Sequence, residues 1–319
     1  MRLILGIVTL QITIVSIMTH LNLTGVFPAM PTPFFNDGSI DFDQLQSDAK
    51  RLESSGVDGL VPVGSTGESA TLTHDEHVEV VEAISDVVKE IPIIAGSGSN
   101  STREAVILSR RSADAGADAL LLISPYYNKP EPSGMESHFL TIADSVDIPQ
   151  IIYNVPSRTG RDIEIKTTKA LASHENIVGY KAASGNLSFI TDVIESTRSE
   201  NFQVVSGDDE LILPILCLGG VGVISVAANI APELVCDLVR STLPGHSQDF
   251  NRALKLNRKL LPIFRGLFIE SNPIPIKEAM SVKYNSPPFF RLPMSRISDP
   301  NREKLLNLLD DLDKIEKDI

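Results

Sequence analysis

The sequence predicts an α/β fold of the (β/α)8 class, the TIM barrel, with a C-terminal helical appendage. Three observations predict it. Eight short apolar runs, four to nine residues long and nearly free of polar alternation, recur between residues 25 and 227. Strands covered on both faces, as in a parallel sheet, read this way. Longer segments of helical period lie between them, several with capping signals at the start and glycine at the end. The chain of 319 residues also leaves room for a barrel of the usual size, about 250 residues, plus an appendage. An open doubly wound sheet is the alternative, because the strand count is soft at the edges.

The expected strands are residues 25–33, 59–63, 92–96, 119–124, 149–155, 177–182, 203–206 and 222–227. Expected helices include 41–55, 73–90, 101–115 and 187–199. Thr73 and Glu76 have the spacing of a capping box, and Ser101 and Glu104 repeat it. Gly56 and Gly116 follow helices where a left-handed stop is usual. Beyond Ala231 the pattern is helical throughout, in 232–243, 247–268, 274–284 and 301–317. The organisation expected is an extension over 1–23, a catalytic barrel over 24–245 and a helical region over 246–319.

Residues 1–18 carry one arginine and an apolar stretch broken by Thr9, Gln11, Thr13 and Ser16. That is shorter and more interrupted than a membrane span, and no small-x-small cleavage site follows. The reading is a disordered extension, or an upstream start codon with the natural start at Met18.

With 28 Lys plus Arg against 41 Asp plus Glu, the net charge of −13 disfavours a broad nucleic-acid-binding face. Two cysteines, Cys217 and Cys236, exclude a disulfide framework and fit a reducing, cytoplasmic compartment. Neither Gly96-Ser-Gly98 nor Gly219-Gly-Val-Gly222 has dinucleotide spacing, and no phosphate loop is present. His74 and His77 stand three apart rather than the four a metalloprotease helix needs, so no metal site and no cofactor are expected.

Groups that react in such a barrel sit at the C-terminal ends of strands. Lys181 ends the sixth expected strand, and no other strand ends in lysine. Burial favours its neutral amine, a nucleophile for carbonyls. The alternative is a rim lysine paired with a carboxylate. Tyr153 lies one strand away at equivalent height, and hydroxyls of Ser65 or Thr66 and of Tyr127 could complete a proton relay. Arg158, among small and polar residues, suits a carboxylate. Asp208 and Asp209 read as loop and cap residues.

The segments GSTGESATLTHDEH, PYYNKP, YNVPSRTG, GYKAASGN, SGDD, GVISVAAN and SNPIPIK, in this order, resemble the dihydrodipicolinate synthase family of pyruvate-dependent aldolases. The resemblance runs from about Thr24 to Ile297. It implies condensation of pyruvate with aspartate semialdehyde through a Schiff base on Lys181. It further implies that Tyr153 shuttles protons, Thr66 relays to it, and Tyr127 arrives from a neighbouring subunit of a homotetramer. Arg158 would receive the semialdehyde carboxylate. Ser65, Thr66 and the region of Ile224 would hold pyruvate, with Gly207 leaving room beside the imine.

A cleft matching Ser69, Ala70, His74, His77, Asn100, Glu104 and Tyr126 would take L-lysine as feedback inhibitor. Two positions depart from the family pattern: Ser65 replaces a common threonine, and Ala182 replaces an acidic residue, which removes a charge near the imine. The related reading is a sibling aldolase for a sialic or keto-deoxy sugar acid. Arg158 within Pro-Ser-Arg-Thr-Gly discriminates against it, since such lyases usually lack that arginine. A non-catalytic binding barrel is the further alternative, but it would be expected to lose Lys181 or Tyr153.

Overall fold

The computed structural model describes residues 21–245 and 248–317. The expectations for the N-terminal extension and for a start at Met18 lie outside the described residues. Among the described residues seven strands form one parallel sheet: β1 (Gly25–Pro28), β2 (Ile94–Gly96), β3 (Ala119–Ile123), β4 (Gln150–Asn154), β5 (Ile177–Ala182), β6 (Gln203–Ser206) and β7 (Gly222–Ser225). Their order is β1-β7-β6-β5-β4-β3-β2.

The gap between β1 and β2 is filled by the second expected strand, shortened to Leu60 and Val61. Parallel bridges join Val61 to Ala29 and Leu60 to Ile93. Val61 N–H donates to Pro28 at 2.9 Å, and Ile94 N–H donates to Leu60 at 2.8 Å. Eight staves therefore close the ring. The second stops early because Pro62 has no N–H to donate and Val63 turns to φ 49°.

Helices follow the staves as the capping signals require. Thr73 and Glu76 close a complete capping box at the start of His74–Ser85. Ser101 caps Thr102–Asp114, but Glu104 turns away to Ser99 (2.8 Å), so that box is half formed. The helix expected over 73–90 ends at Ser85, because the Glu53 carboxylate captures the amides of Lys89 and Glu90 at 2.9 and 2.8 Å. The appendage comprises Phe250–Gly266, Ile274–Tyr284 and Asp299–Lys317.

Two sets of buried side chains explain the lack of alternation in the strands. Ile152, Tyr180, Ala182 and Val204 face outward into the layer between staves and helices. Leu23, Phe27, Ile94, Ile151, Val205 and Ile224 fill the barrel's interior. Gly179 makes the fit possible at the floor: a Cβ there would stand 2.4 Å from the Leu23 side chain.

Candidate active site

A cavity of about 670 Å³ opens at the C-terminal ends of the strands and is walled by Lys181, Tyr153, Ser65, Thr66, Arg158, Gly207 and Asp208, among others. Strand register creates its centre. Tyr153 on β4 pairs with Lys181 on β5, so both side chains enter the cavity at one height. The Lys181 amine lies 4.2 Å from the centre of the Tyr153 ring.

Burial lowers Lys181 to about 8, against the attraction of Asp208 and Asp209. Burial raises Tyr153 to about 12, with Arg158 opposing. Gly207 has no space for a side chain, since a Cβ would sit 3.0 Å from Lys181 Cε.

The two hydroxyls of the Ser65-Thr66 turn have different partners. Ser65 is the hydroxyl neighbour that eases ionisation of Tyr153. The Thr66 hydroxyl accepts from Asn272 Nδ2 at 2.9 Å. Ser65 thus has the electrostatic link to Tyr153, while the Thr66 hydroxyl is engaged by Asn272. Tyr127 is 90% exposed, has φ 70°, and is absent from the cavity wall of this single chain. Ile224 lies in the packed interior below the cavity, and Val226 forms the wall in its place.

Two findings concern charge. Asp208 is the loop residue expected, at the N-cap position of Asp209–Leu211, and its side chain also lines the cavity, where burial raises its carboxyl to about 6 against the pull of Lys181. Asp209 does act as a cap, accepting from Ser225 Oγ at 2.5 Å and from the amides of Val226 and Ala227. Ala182 points outward into the helix layer, so the family's acidic residue has no counterpart facing the amine there. The carboxylate beside the amine comes from Asp208.

Arg158 stands at the mouth and donates to the Asn272 carbonyl at 3.2 Å. Phe268, Pro293 and Met294 supply an apolar rim from the appendage. Asn272 carried no role in the sequence reading. It lies 206 positions from Thr66, and no local pattern couples residues so far apart.

The cavity continues past Ser69, Ala70, His74, His77, Glu104 and Tyr126, six of the seven positions expected to bind lysine. Asn100 is not in the wall; its carbonyl accepts from Asn128 Nδ2 at 2.7 Å. Burial pushes His77 down to about 4, with a hydrogen bond to the Gly96 backbone opposing.

The model of the dihydrodipicolinate synthetase family matches residues 22–312. The chain belongs to that family. A Haloarcula marismortui protein named 4-hydroxy-tetrahydrodipicolinate synthase is 60% identical over 292 residues, covering 92% of this chain and 94% of its own. The Acinetobacter baumannii dihydrodipicolinate synthase, solved with pyruvate, superposes with a TM-score of 0.87 at 40% identity, covering 91% of this chain and 99% of its own. The Cyanidioschyzon merolae enzyme, solved with lysine bound, superposes at 0.87 with 35% identity, covering 91% and 98%. Dihydrodipicolinate synthetase family membership assigns the barrel architecture together with the C-terminal helices.

Proposed function

We propose that this chain is a Schiff-base lyase condensing pyruvate with L-aspartate 4-semialdehyde to 4-hydroxy-tetrahydrodipicolinate, the first committed step toward diaminopimelate and lysine. The observation that carries the reading is the register pair of Tyr153 and Lys181, with the lysine held near 8 inside the cavity. The names of its relatives support it.

The Lys181 amine attacks the ketone carbon of pyruvate. Water leaves with a proton supplied through Tyr153 and its neighbour Ser65, forming the imine. Loss of a C3 proton gives the enamine, whose C3 attacks the aldehyde carbon of the second substrate. The amine of that substrate then displaces Lys181 as the ring closes, returning the free lysine. Arg158 receives the semialdehyde carboxylate, and the turn at Ser65 and Thr66 holds the pyruvate carboxylate.

Tyr127 joins the relay from a second copy in a homotetramer built as a dimer of dimers; its 90% exposure in the single chain supports this. L-Lysine occupies the arm of the cavity between His77 and Glu104 as a feedback inhibitor. Free thiols at Cys217 and Cys236 support a cytoplasmic enzyme.

The test is to incubate the protein with pyruvate and borohydride, map the adduct by peptide mass, and assay consumption of aspartate semialdehyde. A reduced pyruvyl group on Lys181 with turnover of the semialdehyde is expected. An adduct on another lysine, or turnover only of a keto-deoxy sugar acid, would overturn the proposal.

A further inference from the structure

The turn that presents Ser65 and Thr66 is strained at both ends. Val63 has φ 49° and Glu68 has φ 53°. Left-handed backbone is especially unfavourable for a β-branched valine. Such strain persists only where the surroundings over-determine the conformation.

Three contacts from outside the turn do so. Thr32 Oγ1 donates to the Gly67 carbonyl at 2.7 Å. Asn272 Nδ2 holds the Thr66 hydroxyl. Lys277 Nζ donates to Glu68 Oε1 at 2.6 Å and to the Thr32 carbonyl at 2.9 Å. Lys277 and Glu68 are each 5% exposed. The ammonium also lies 4.4 and 4.8 Å from the ring centres of Phe34 and Phe290. Two of the three contacts therefore come from the appendage, across more than 200 residues of sequence.

A buried ion pair contributes little net stability compared with well-packed apolar residues, because both charges lose their water. Here Glu68 Oε2 also lacks a partner, so the pair is poorly suited to stabilising the fold. It is well suited to fixing one geometry. We propose that Glu68 and Lys277 form a buried brace that positions the Ser65-Thr66 turn for catalysis, with Lys277 acting from the appendage as a positioning residue. The proposal rests on the lyase reading above, in which that turn holds pyruvate and serves the proton relay.

Two variants test it: the charge-free double Glu68→Leu/Lys277→Met, and the isosteric single Glu68→Gln. Thermal unfolding, borohydride trapping of pyruvate, and kcat and KM are measured on each. The double variant is expected to unfold within a few degrees of the wild type and still trap pyruvate on Lys181. Its kcat should fall roughly tenfold to a hundredfold, the scale of an ångström-sized misplacement, while KM for pyruvate moves less than about threefold.

A folded double variant with kcat within about twofold of wild type would overturn the brace, since the turn would then hold its catalytic geometry without the buried ion pair. If the double variant does not fold, Glu68→Gln decides: reduced kcat at unchanged unfolding temperature supports the brace, and unchanged kcat overturns it. A wild type that traps no pyruvate would overturn the lyase reading and the brace with it, whereas a variant result on a trapping-competent wild type bears on the brace alone.

Discussion

The Lys181 amine lies over the face of the Tyr153 ring, 4.2 Å from its centre, on the neighbouring strand of the same register pair. The ring's negative face favours the ammonium, while burial favours the amine, and burial wins. Tyr153→Phe keeps the ring and removes only the hydroxyl. Turnover is expected to fall about a hundredfold, in the range of a positioned acid or base. KM for pyruvate should change much less, and steady-state kinetics of the purified variant check both.

Adduct formation should follow the protonation of Lys181. With the amine near 8, the rate of borohydride-trapped adduct is expected to climb about tenfold per pH unit up to pH 8 and then level off. A profile that climbs on toward pH 10 would place the amine at its ordinary value.

The same burial costs stability. The folded state holds Lys181 near 8 against 10.5 for a free side chain, so between these values the unfolded chain binds the extra proton. Stability from this residue therefore rises with pH across that window, and below it the full cost applies, about 3 kcal/mol. Lys181→Met is expected to abolish trapping yet raise the unfolding temperature at pH 7 by several degrees. The gain should shrink by pH 10, as calorimetry at the two pH values would record.

Ser65 eases the ionisation of Tyr153 while Thr66 is held by Asn272, so Ser65→Ala should lower kcat at least tenfold. Ser65→Thr restores the hydroxyl and adds a methyl that restrains its rotamer. It is expected to match or exceed the wild type, and comparing kcat of the two variants checks the assignment.

L-Lysine at millimolar concentration is expected to inhibit the initial rate. His77, held near 4, stays neutral at assay pH, and Glu104 supplies a carboxylate for the ligand's ammonium. Glu104→Ala and His77→Ala should each weaken inhibition about tenfold, the worth of one hydrogen bond to a charged group. An uninhibited wild type would refute the lysine site.

The barrel was legible because each stave is buried on both faces and each helix carries its own start and stop. The strand-end position of Lys181 and its height beside Tyr153 followed from the same pattern. What escaped reading depends on direction or distance. Ala182 adjoins Lys181 in sequence, but alternation along β5 turns it outward. Asp208 is a loop residue, as its setting implies, but it follows the end of β6, where the strand-end rule also points into the cavity. The Asn272 and Lys277 contacts join the appendage to the second stave, and no local periodicity encodes a partnership across the whole barrel.

The floor of the barrel, packed with Leu23, Phe27, Ile94 and Ile151, makes the reaction chamber a blind alley. Arg158 and the apolar rim belong to the cavity wall beyond that floor, with Lys181 deeper inside. In the proposed reaction the first substrate bonds to Lys181 at that depth, and the second must meet it from the open side. The keto acid must be seated at depth before the aldehyde comes, and the aldehyde arriving early would block its own partner. High semialdehyde should therefore slow turnover in competition with pyruvate, a traffic rule written into the packing beneath the site.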